Sequence, residues 1–395
     1  MKILFFSQYF WPENFLINDL ATELNKKNTI KVITGYPNYP KGKLFKGYKN
    51  YLKSREWFHN IEIIRSIVIP RKKGTKLNLI INYLSFAFFS FFRIIFLKNK
   101  KTYNLCFVYA PSPLISLFSI FFLKKRFNFK IYLWLQDLWP LVINNKTNNF
   151  LIKKIIYILC RYIYNKSDII LIQSLDYKDY LIKEFQLHEN KIVFCPNWSQ
   201  NKYRVKYNSS QKNKFNIIYS GNIGYSQNLS ILINICKNLE FSNFEFHLYG
   251  EGRYKKQLQK DILSNKINNI ILHTHVSLEI LLQKVKECDA LFLSLASEYS
   301  HTIPAKFQFY LSLGLPILAH VDGYLYDLIN KKNIGLAAKS NNLSDLEDIL
   351  IKFSKYNQKE KSIIANNAFK LYVNNFSKEK IINKINKLIN EENYY

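Results

Sequence analysis

Phe215-Asn216-Ile217-Ile218-Tyr219-Ser220 runs directly into Gly221-Asn222-Ile223-Gly224-Tyr225-Ser226-Gln227-Asn228. A short apolar run that opens into a glycine turn and then a helical pattern reads as strand, turn and helix. Residues 245–252, ending His247-Leu248-Tyr249-Gly250-Glu251-Gly252, repeat the arrangement one unit later. Further apolar runs at 270–273, 290–294 and 317–319 continue the pattern. Strands without alternation, separated by helices, belong to a parallel sheet covered on both faces.

The same grammar fills the first half of the chain, with strands expected at 3–6, 30–34, 61–64, 105–109, 130–135, 169–172 and 192–194. Between the halves, residues 197–214 turn polar without periodicity and read as a linker. At 395 residues the chain is too long for one ordinary core, and its 48% hydrophobic content fills two. The expected fold is α/β: two Rossmann-like domains facing across a cleft. Residues 1–200 form the first domain and 210–376 the second. A closing helix at 377–395 packs back toward the first.

The formal charge is +29, and residues 1–200 carry most of it, with 31 Lys and Arg against 11 Asp and Glu. That half is expected to face an anionic surface, although an AT-rich codon bias accounts for part of the lysine excess. Five widely spaced cysteines (Cys106, Cys160, Cys195, Cys236, Cys288) show no metal-ligand spacing and read as buried reduced thiols of the cytoplasm. The N-terminus runs straight into a strand, so no secretory signal is read.

Residues 79–97 are almost wholly apolar, rich in phenylalanine and flanked by Lys72, Lys73, Lys76, Lys98, Lys100 and Lys101. Nineteen residues just span a bilayer. Yet Arg93 lies inside, Asn78, Asn82, Ser85 and Arg93 share one stripe at helical spacing, and a span here would cut the first domain. A buried crossover helix is one alternative. The expectation adopted is a crossover helix that also lies in the membrane interface, on the inner leaflet.

Several chemistries are excluded by pattern. There is no phosphate loop with Gly-Lys-Ser/Thr, no G-x-G-x-x-G after the first strand, no D-x-D and no metal-ligand cluster. No metal or cofactor is therefore expected, and anionic phosphates must be met by lysines, backbone N–H groups and helix N-termini. Three places suit this. The turns at Gly221, Asn222 and Gly224 and at Gly250 and Gly252 either approach a ligand or are plain connections. The third is Ser300-His301-Thr302-Ile303-Pro304-Ala305-Lys306, with Pro304 suited to a first helical turn. Thr302 and Ile303 would offer N–H groups there, and Lys306 would reach a phosphate from one turn in.

In the first half, Glu13 and Asn14 follow the first strand, and Asp137 ends a later one. Strand ends of this kind face the ligand crevice of an open parallel sheet. Glu13 and Asp137 are candidates to take the proton of a bound hydroxyl or to orient a bound ligand, against structural roles as a cap or turn residue. Tyr36, Asn38 and Tyr39, in the 36–40 segment, form either an aromatic acceptor wall or a packed loop.

Tyr219-Ser220-Gly221-Asn222-Ile223-Gly224, Tyr249-Gly250-Glu251-Gly252 and Pro304-Ala305-Lys306 with Gly314-Leu315-Pro316 together resemble glycosyltransferase family 4. Ser7-Gln8-Tyr9-Phe10-Trp11-Pro12-Glu13-Asn14-Phe15, Thr34 to Gly42, Tyr109-Ala110-Pro111-Ser112-Pro113 and Gln136-Asp137-Leu138-Trp139-Pro140 resemble its bacterial O-antigen and capsule branch, which includes N-acetyl-L-fucosamine transferases. The resemblance covers nearly the whole chain.

It implies the two-domain GT-B fold and transfer with retained anomeric configuration. The donor would lie mainly on the second domain and the acceptor on the first, with Trp139 beside Asp137 on the acceptor side. By the same resemblance Gly221 to Gly224 and Lys306 meet the donor diphosphate, helped by Arg253, and the backbone at His275 and Val276 meets the base. The pair of glutamates usual in the family is replaced by His301 and Phe309, leaving Gln308 or Glu298 to contact the ribose.

The expected function is transfer of a sugar from a UDP donor to a polyprenyl-diphosphate-linked saccharide at the inner face of the cell membrane. N-acetylated L-fucosamine is the sugar the resemblance suggests. The alternatives are a non-hydrolysing nucleotide-sugar epimerase of the same fold and a basic nucleic-acid-binding protein. The aromatic residues sit in core-like runs rather than on an exposed platform, which disfavours nucleic acid.

Overall fold

The apolar runs become two separate β-sheets. The computed structural model describes residues 1–49, 52–98, 100–111, 113–127, 129–144, 147–199, 203–207 and 214–391. The chain divides into two compact units, one of Met1–Cys195 together with the chain from Ile385 onward, the other of Pro196–Lys384.

In the first unit eight strands are ordered β3-β4-β2-β1-β5-β6-β7-β8. They are β1 Lys2–Phe6, β2 Thr29–Gly35, β3 Arg55–Phe58, β4 Ile61–Ser66, β5 Leu105–Ala110, β6 Lys130–Leu135, β7 Ile169–Ile172 and β8 Ile192–Phe194. All pairings are parallel except β3 with β4, a hairpin turned at His59 and Asn60, both with positive φ. β1 and β5 are buried along nearly their whole length, which is why they read as continuous apolar runs.

The second unit holds six parallel strands ordered β11-β10-β9-β12-β13-β14. They are β9 Phe215–Ser220, β10 Phe244–Tyr249, β11 Ile270–His273, β12 Ala290–Ser294, β13 Ile317–His320 and β14 Gly335–Ala338. Separate apolar clusters cover its faces. One is built around Phe307, Tyr310 and Leu313, the other around Leu232, Phe246 and Phe292.

Part of the 197–214 linker, residues 200–202 and 208–213, lies outside the described residues. What is described does not hang free. Val205 is buried in the second unit's core, its N–H bonds Leu313 O at 2.8 Å, and Tyr203 and Tyr207 pack beside it.

The helix Lys76–Ile95 is a crossover between β4 and β5 whose polar stripe faces inward. Asn82, Ser85 and Ser90 are buried. Gln8 donates to Asn82 Oδ1 at 2.8 Å, Asn82 Nδ2 donates to Ile69 O at 2.7 Å, and Ser90 and Ser119 share a hydrogen bond of 2.8 Å. Outward stand Leu77, Ile80, Leu84, Phe88 and Phe92, at spacings of three and four, with Phe96 just beyond. This helix is long and apolar enough, by length and composition, to cross a membrane. Its packing on β2 and β4, with Phe86 against Phe6 at 5.4 Å, is that of a sheet-covering helix.

A second outward apolar row, Leu151, Ile155 and Ile158, lies on the helix Phe150–Lys166 of the same unit. The five cysteines are free, and four of them are buried.

Candidate functional site

At the carboxyl end of the second unit's sheet, the two glycine turns lie against each other. A Cβ on Gly250 would come 1.8 Å from Gly221 O, and one on Gly252 would come 2.1 Å from Ile223 O. Gly221 N–H donates to Tyr249 O at 2.9 Å and Ile223 N–H to Glu251 O at 2.8 Å. Gly224 N–H donates to Gln227 Oε1 at 3.0 Å. Gly250 and Gly252 are therefore required by the approach of turn to turn, and three N–H groups read from sequence as phosphate donors are already used within the protein. Asn222 caps the arrangement, with its side chain on Gln227 at 3.1 Å and its carbonyl accepting from Tyr219 Oη.

Lys306 stands over this double turn. It occupies the second position of the helix Ala305–Leu313, which Gly314 ends in the left-handed conformation (φ 68°). A Cβ on Gly221 would lie 3.5 Å from Lys306 Nζ. That ammonium donates to Tyr219 Oη at 2.5 Å and sits 3.9 Å from the centre of its ring. Burial strips water from the ammonium and pulls its pKa down to about 7.

The rest of the expected donor set is only partly assembled. Pro304 is the N-cap of the helix, not a first-turn residue, so the helix begins at Ala305. Thr302 N–H and Oγ1 both bond Tyr299 O, and Ile303 is buried in the core, which removes Thr302 as a phosphate donor. Gln308 is fully buried; its amide nitrogen, in the orientation that satisfies it, donates to Pro304 O and Ala305 O at 2.9 and 3.0 Å. It is therefore no ribose contact. Glu298, the other candidate, is exposed.

Arg253 and His275 are exposed, while Val276 packs on the core. The His275 backbone N–H faces the Glu251 carboxylate, which Lys255 first of all holds below its usual range. Sequence reading passed over Lys255. Its ammonium bonds Gly250 O at 2.9 Å, Glu251 Oε1 at 2.7 Å and His273 O at 2.8 Å, tying the ends of β10 and β11 together.

In the first unit, Glu13 is buried and one carboxylate oxygen accepts the N–H groups of Asn38 (2.8 Å) and Tyr39 (2.7 Å). Burial raises its pKa to about 7, against the pull of those two bonds and of the Arg65 charge. Its visible task is to clamp the 36–40 loop. Within that loop Asn38 is buried and bonds Tyr36 O at 3.0 Å, while Tyr36 lies wholly in the core. The expected aromatic wall is thus reduced to Tyr39, which is 39% exposed. Asn14 is exposed. Trp139 packs on the core, and its carbonyl accepts from Tyr164 Oη at 2.6 Å.

Asp137 follows β6 and is half-buried. Burial raises the Tyr109 phenol, and the Asp137 charge beside it adds to the rise. Tyr83 is raised in the same way, opposed by Arg71. Nothing in the sequence pattern singles out Arg71 or Tyr83. Arg71 donates to Tyr83 Oη at 2.8 Å and lies 5.7, 5.1 and 5.8 Å from the ring centres of Tyr9, Tyr39 and Tyr83. Tyr9, Phe15 and Tyr39 pack on one another at 5.3 to 5.7 Å. Asp137, Tyr83, Arg71 and Tyr39 therefore neighbour one another through these contacts. Among the described residues no group of three His, Cys, Asp or Glu side chains is placed to hold a metal.

Two Rossmann-like units with parallel sheets, the second carrying a lysine over a glycine turn, are of the GT-B class. Residues 199–371 match the family model described as glycosyl transferases group 1. The match lies within the second unit and supports a glycosyl-transferring enzyme. An uncharacterized glycosyltransferase of Methanocaldococcus jannaschii is 21% identical over 244 residues, covering 57% of this chain and 66% of that protein.

Two solved structures share the fold along almost the whole chain. The lipopolysaccharide outer core galactosyltransferase WaaB, in its apo form, is 16% identical with a TM-score of 0.68, covering 99% of this chain and 100% of that one. Anabaena HepE, in complex with UDP and glucose, is 14% identical with a TM-score of 0.66, covering 98% and 99%. The family match favours a transferase over the epimerase alternative.

Proposed function

We propose that this enzyme transfers an N-acetylated amino sugar, such as L-fucosamine, from UDP to a polyprenyl-diphosphate-linked saccharide, with retention, in O-antigen or capsule assembly. The observation that carries the reading is Lys306. It is a cation half-buried against a phenol, beside Gly221, whose depressed pKa has burial as its sole cause. Such a site is completed by an anion, and a donor diphosphate supplies one. The UDP complex of a protein sharing this fold supports the nucleotide.

In the reaction the bond from the anomeric carbon to the β-phosphate oxygen breaks, and the acceptor hydroxyl oxygen forms the new one. Negative charge grows on the departing phosphate, where a protonated Lys306 stabilises it. Asp137 orients the acceptor hydroxyl or takes its proton. No side chain is assigned as a covalent nucleophile.

The acceptor is lipid-linked in this reading because of the first unit's surface. The outward ridge Leu77, Ile80, Leu84, Phe88 and Phe92 is flanked by the exposed Lys72, Lys73, Lys76 and Lys98. An apolar face edged by lysines suits the interface of an anionic leaflet, which supports a peripheral position on the inner face of the membrane in this reading.

The test is transfer itself. UDP-linked amino sugars are incubated with a short prenyl-diphosphate-linked glycan, and the product anomer is read by NMR. A retained anomer on the lipid-linked product supports the proposal. Inversion, or an epimerised nucleotide sugar with no transfer, overturns it.

A further inference from the structure

Arg71 ends the segment leading into the helix Lys76–Ile95, and its surroundings do not account for it. The guanidinium is half-buried within reach of the rings of Tyr9, Tyr39 and Tyr83. Those rings favour a cation by their negative faces but accept little hydrogen bonding. One terminal nitrogen is used, by Tyr83 Oη at 2.8 Å. Nε is buried with no hydrogen-bond partner, and so is Tyr9 Oη close by. Arg65, the fully buried arginine of the same unit, shows the contrast. It is paired with Glu56 and donates to Gly35 O at 2.9 Å and to Trp11 O. Arg71 has no such ion pair among the described residues.

A buried guanidinium donor without an acceptor is costly unless a ligand completes it. The fork of an arginine matches phosphate oxygens in pairs. The exposed Lys72, Lys73 and Lys76 follow at once in the chain, which favours a multiply charged anion over a single carboxylate. The Tyr83 that accepts from Arg71 lies next to Leu84, on the flank of the outward ridge formed by Leu77, Ile80, Leu84, Phe88 and Phe92. An anionic head held at Arg71 would thus have an apolar track beside it for its tail. The Asp137 charge also acts on the Tyr83 phenol.

We propose that Arg71, in its cage of Tyr9, Tyr39 and Tyr83, binds the diphosphate of a prenyl-diphosphate acceptor, with the prenyl chain lying along the ridge of the helix Lys76–Ile95. Arg71 is then a binding residue, and the tyrosines position it. The proposal rests on the lipid-linked acceptor of the previous subsection and specifies where its charged group is held.

The test uses the full chain and farnesyl diphosphate below its micelle concentration, with binding followed by calorimetry. Wild type is expected to bind, Arg71→Met to bind at least tenfold more weakly, and Arg71→Lys to recover part of the loss. Lys306→Met is expected to bind farnesyl diphosphate as wild type does. Inorganic pyrophosphate should compete weakly, and farnesol should not compete. An unchanged thermal shift with UDP in Arg71→Met shows that the variant is folded.

Equal binding by wild type and Arg71→Met overturns the proposal. So does loss of binding in Lys306→Met, which moves the diphosphate to the second unit, or equal competition by farnesol. A wild-type protein that binds farnesyl diphosphate through Arg71 yet shows no UDP shift would leave this site standing and remove the donor reading instead.

Discussion

The Lys306 ammonium lies 2.5 Å from the phenolic oxygen of Tyr219 and 3.9 Å from the centre of its ring. The phenol seats the cation without neutralising it, since burial pushes the Tyr219 pKa far above its ordinary value. A cation held this way is readily discharged, and the consequences are measurable.

With its pKa pulled to about 7, Lys306 is half-protonated near neutrality in the ligand-free enzyme. The unfolded chain keeps that proton up to about pH 10.4, so this group makes the free protein more stable as pH rises from 7 toward 10. A bound diphosphate favours the ammonium, so UDP binding above pH 7 is expected to take up close to one proton and to weaken with rising pH. Calorimetry in buffers of different ionisation enthalpy reads this directly. Lys306→Met should abolish the uptake; uptake unchanged in that variant would show that another group is responsible.

Glu13 titrates in the opposite sense. Its folded pKa of about 7 lies above the ordinary 4.5. The folded state therefore holds the proton more tightly, and this stabilising contribution is full below pH 4.5 and lost as pH rises through 7. Glu13→Gln keeps an acceptor for the Asn38 and Tyr39 N–H groups and removes the titration. Relative to wild type, its thermal midpoint should rise between pH 5 and pH 8. Glu13→Ala loses both bonds and should cost about 1–3 kcal/mol.

Arg65 is wholly buried, and Glu56 on β3 is its counter-ion. Removing one partner of a buried pair strands the other charge, at a cost of about 3–5 kcal/mol. Urea unfolding of Glu56→Ala should show a loss of that size, with Glu56→Gln intermediate. A loss under about 1 kcal/mol would mean that water reaches Arg65.

Phe88 and Phe92 are 59% and 42% exposed on the outward ridge. Wild type is expected to float with phosphatidylglycerol-containing liposomes, more weakly in high salt. The double variant Phe88→Glu and Phe92→Glu should stay at the bottom of the gradient while keeping its response to UDP. If wild type itself does not float, membrane docking by this helix is wrong.

The strands buried on both faces were legible because nothing but an apolar run fills them. Two strands were not. Arg55-Glu56-Trp57-Phe58 is half polar because β3 is an edge hairpin strand carrying the Arg65 counter-ion. Gly335-Leu336-Ala337-Ala338 has no β-branched residue; a Cβ on Gly335 would come 1.8 Å from Ile317 O, so the close approach of β13 selects the glycine.

The sites divide along the same line. Lys306 was legible because a lysine at the start of a helix after Pro304 is a local pattern. Gly250, Gly252 and Thr302 were visible as special residues, but their partners are other turns of the protein, and that is tertiary information. Arg71 and Tyr83 carried no signal, because their environment is assembled from Tyr9, Tyr39 and a helix flank far apart in the chain.

A nucleotide-sugar donor held at Lys306 is tested by the thermal shift of the full chain with UDP, GDP, TDP and CMP in the absence of divalent metal. A ligand of the folded state at a hundredfold excess over its Kd stabilises by about 2.7 kcal/mol. A clear shift with UDP that disappears in Lys306→Ala is expected. A shift with no nucleotide, or a UDP shift that survives in Lys306→Ala, would contradict it.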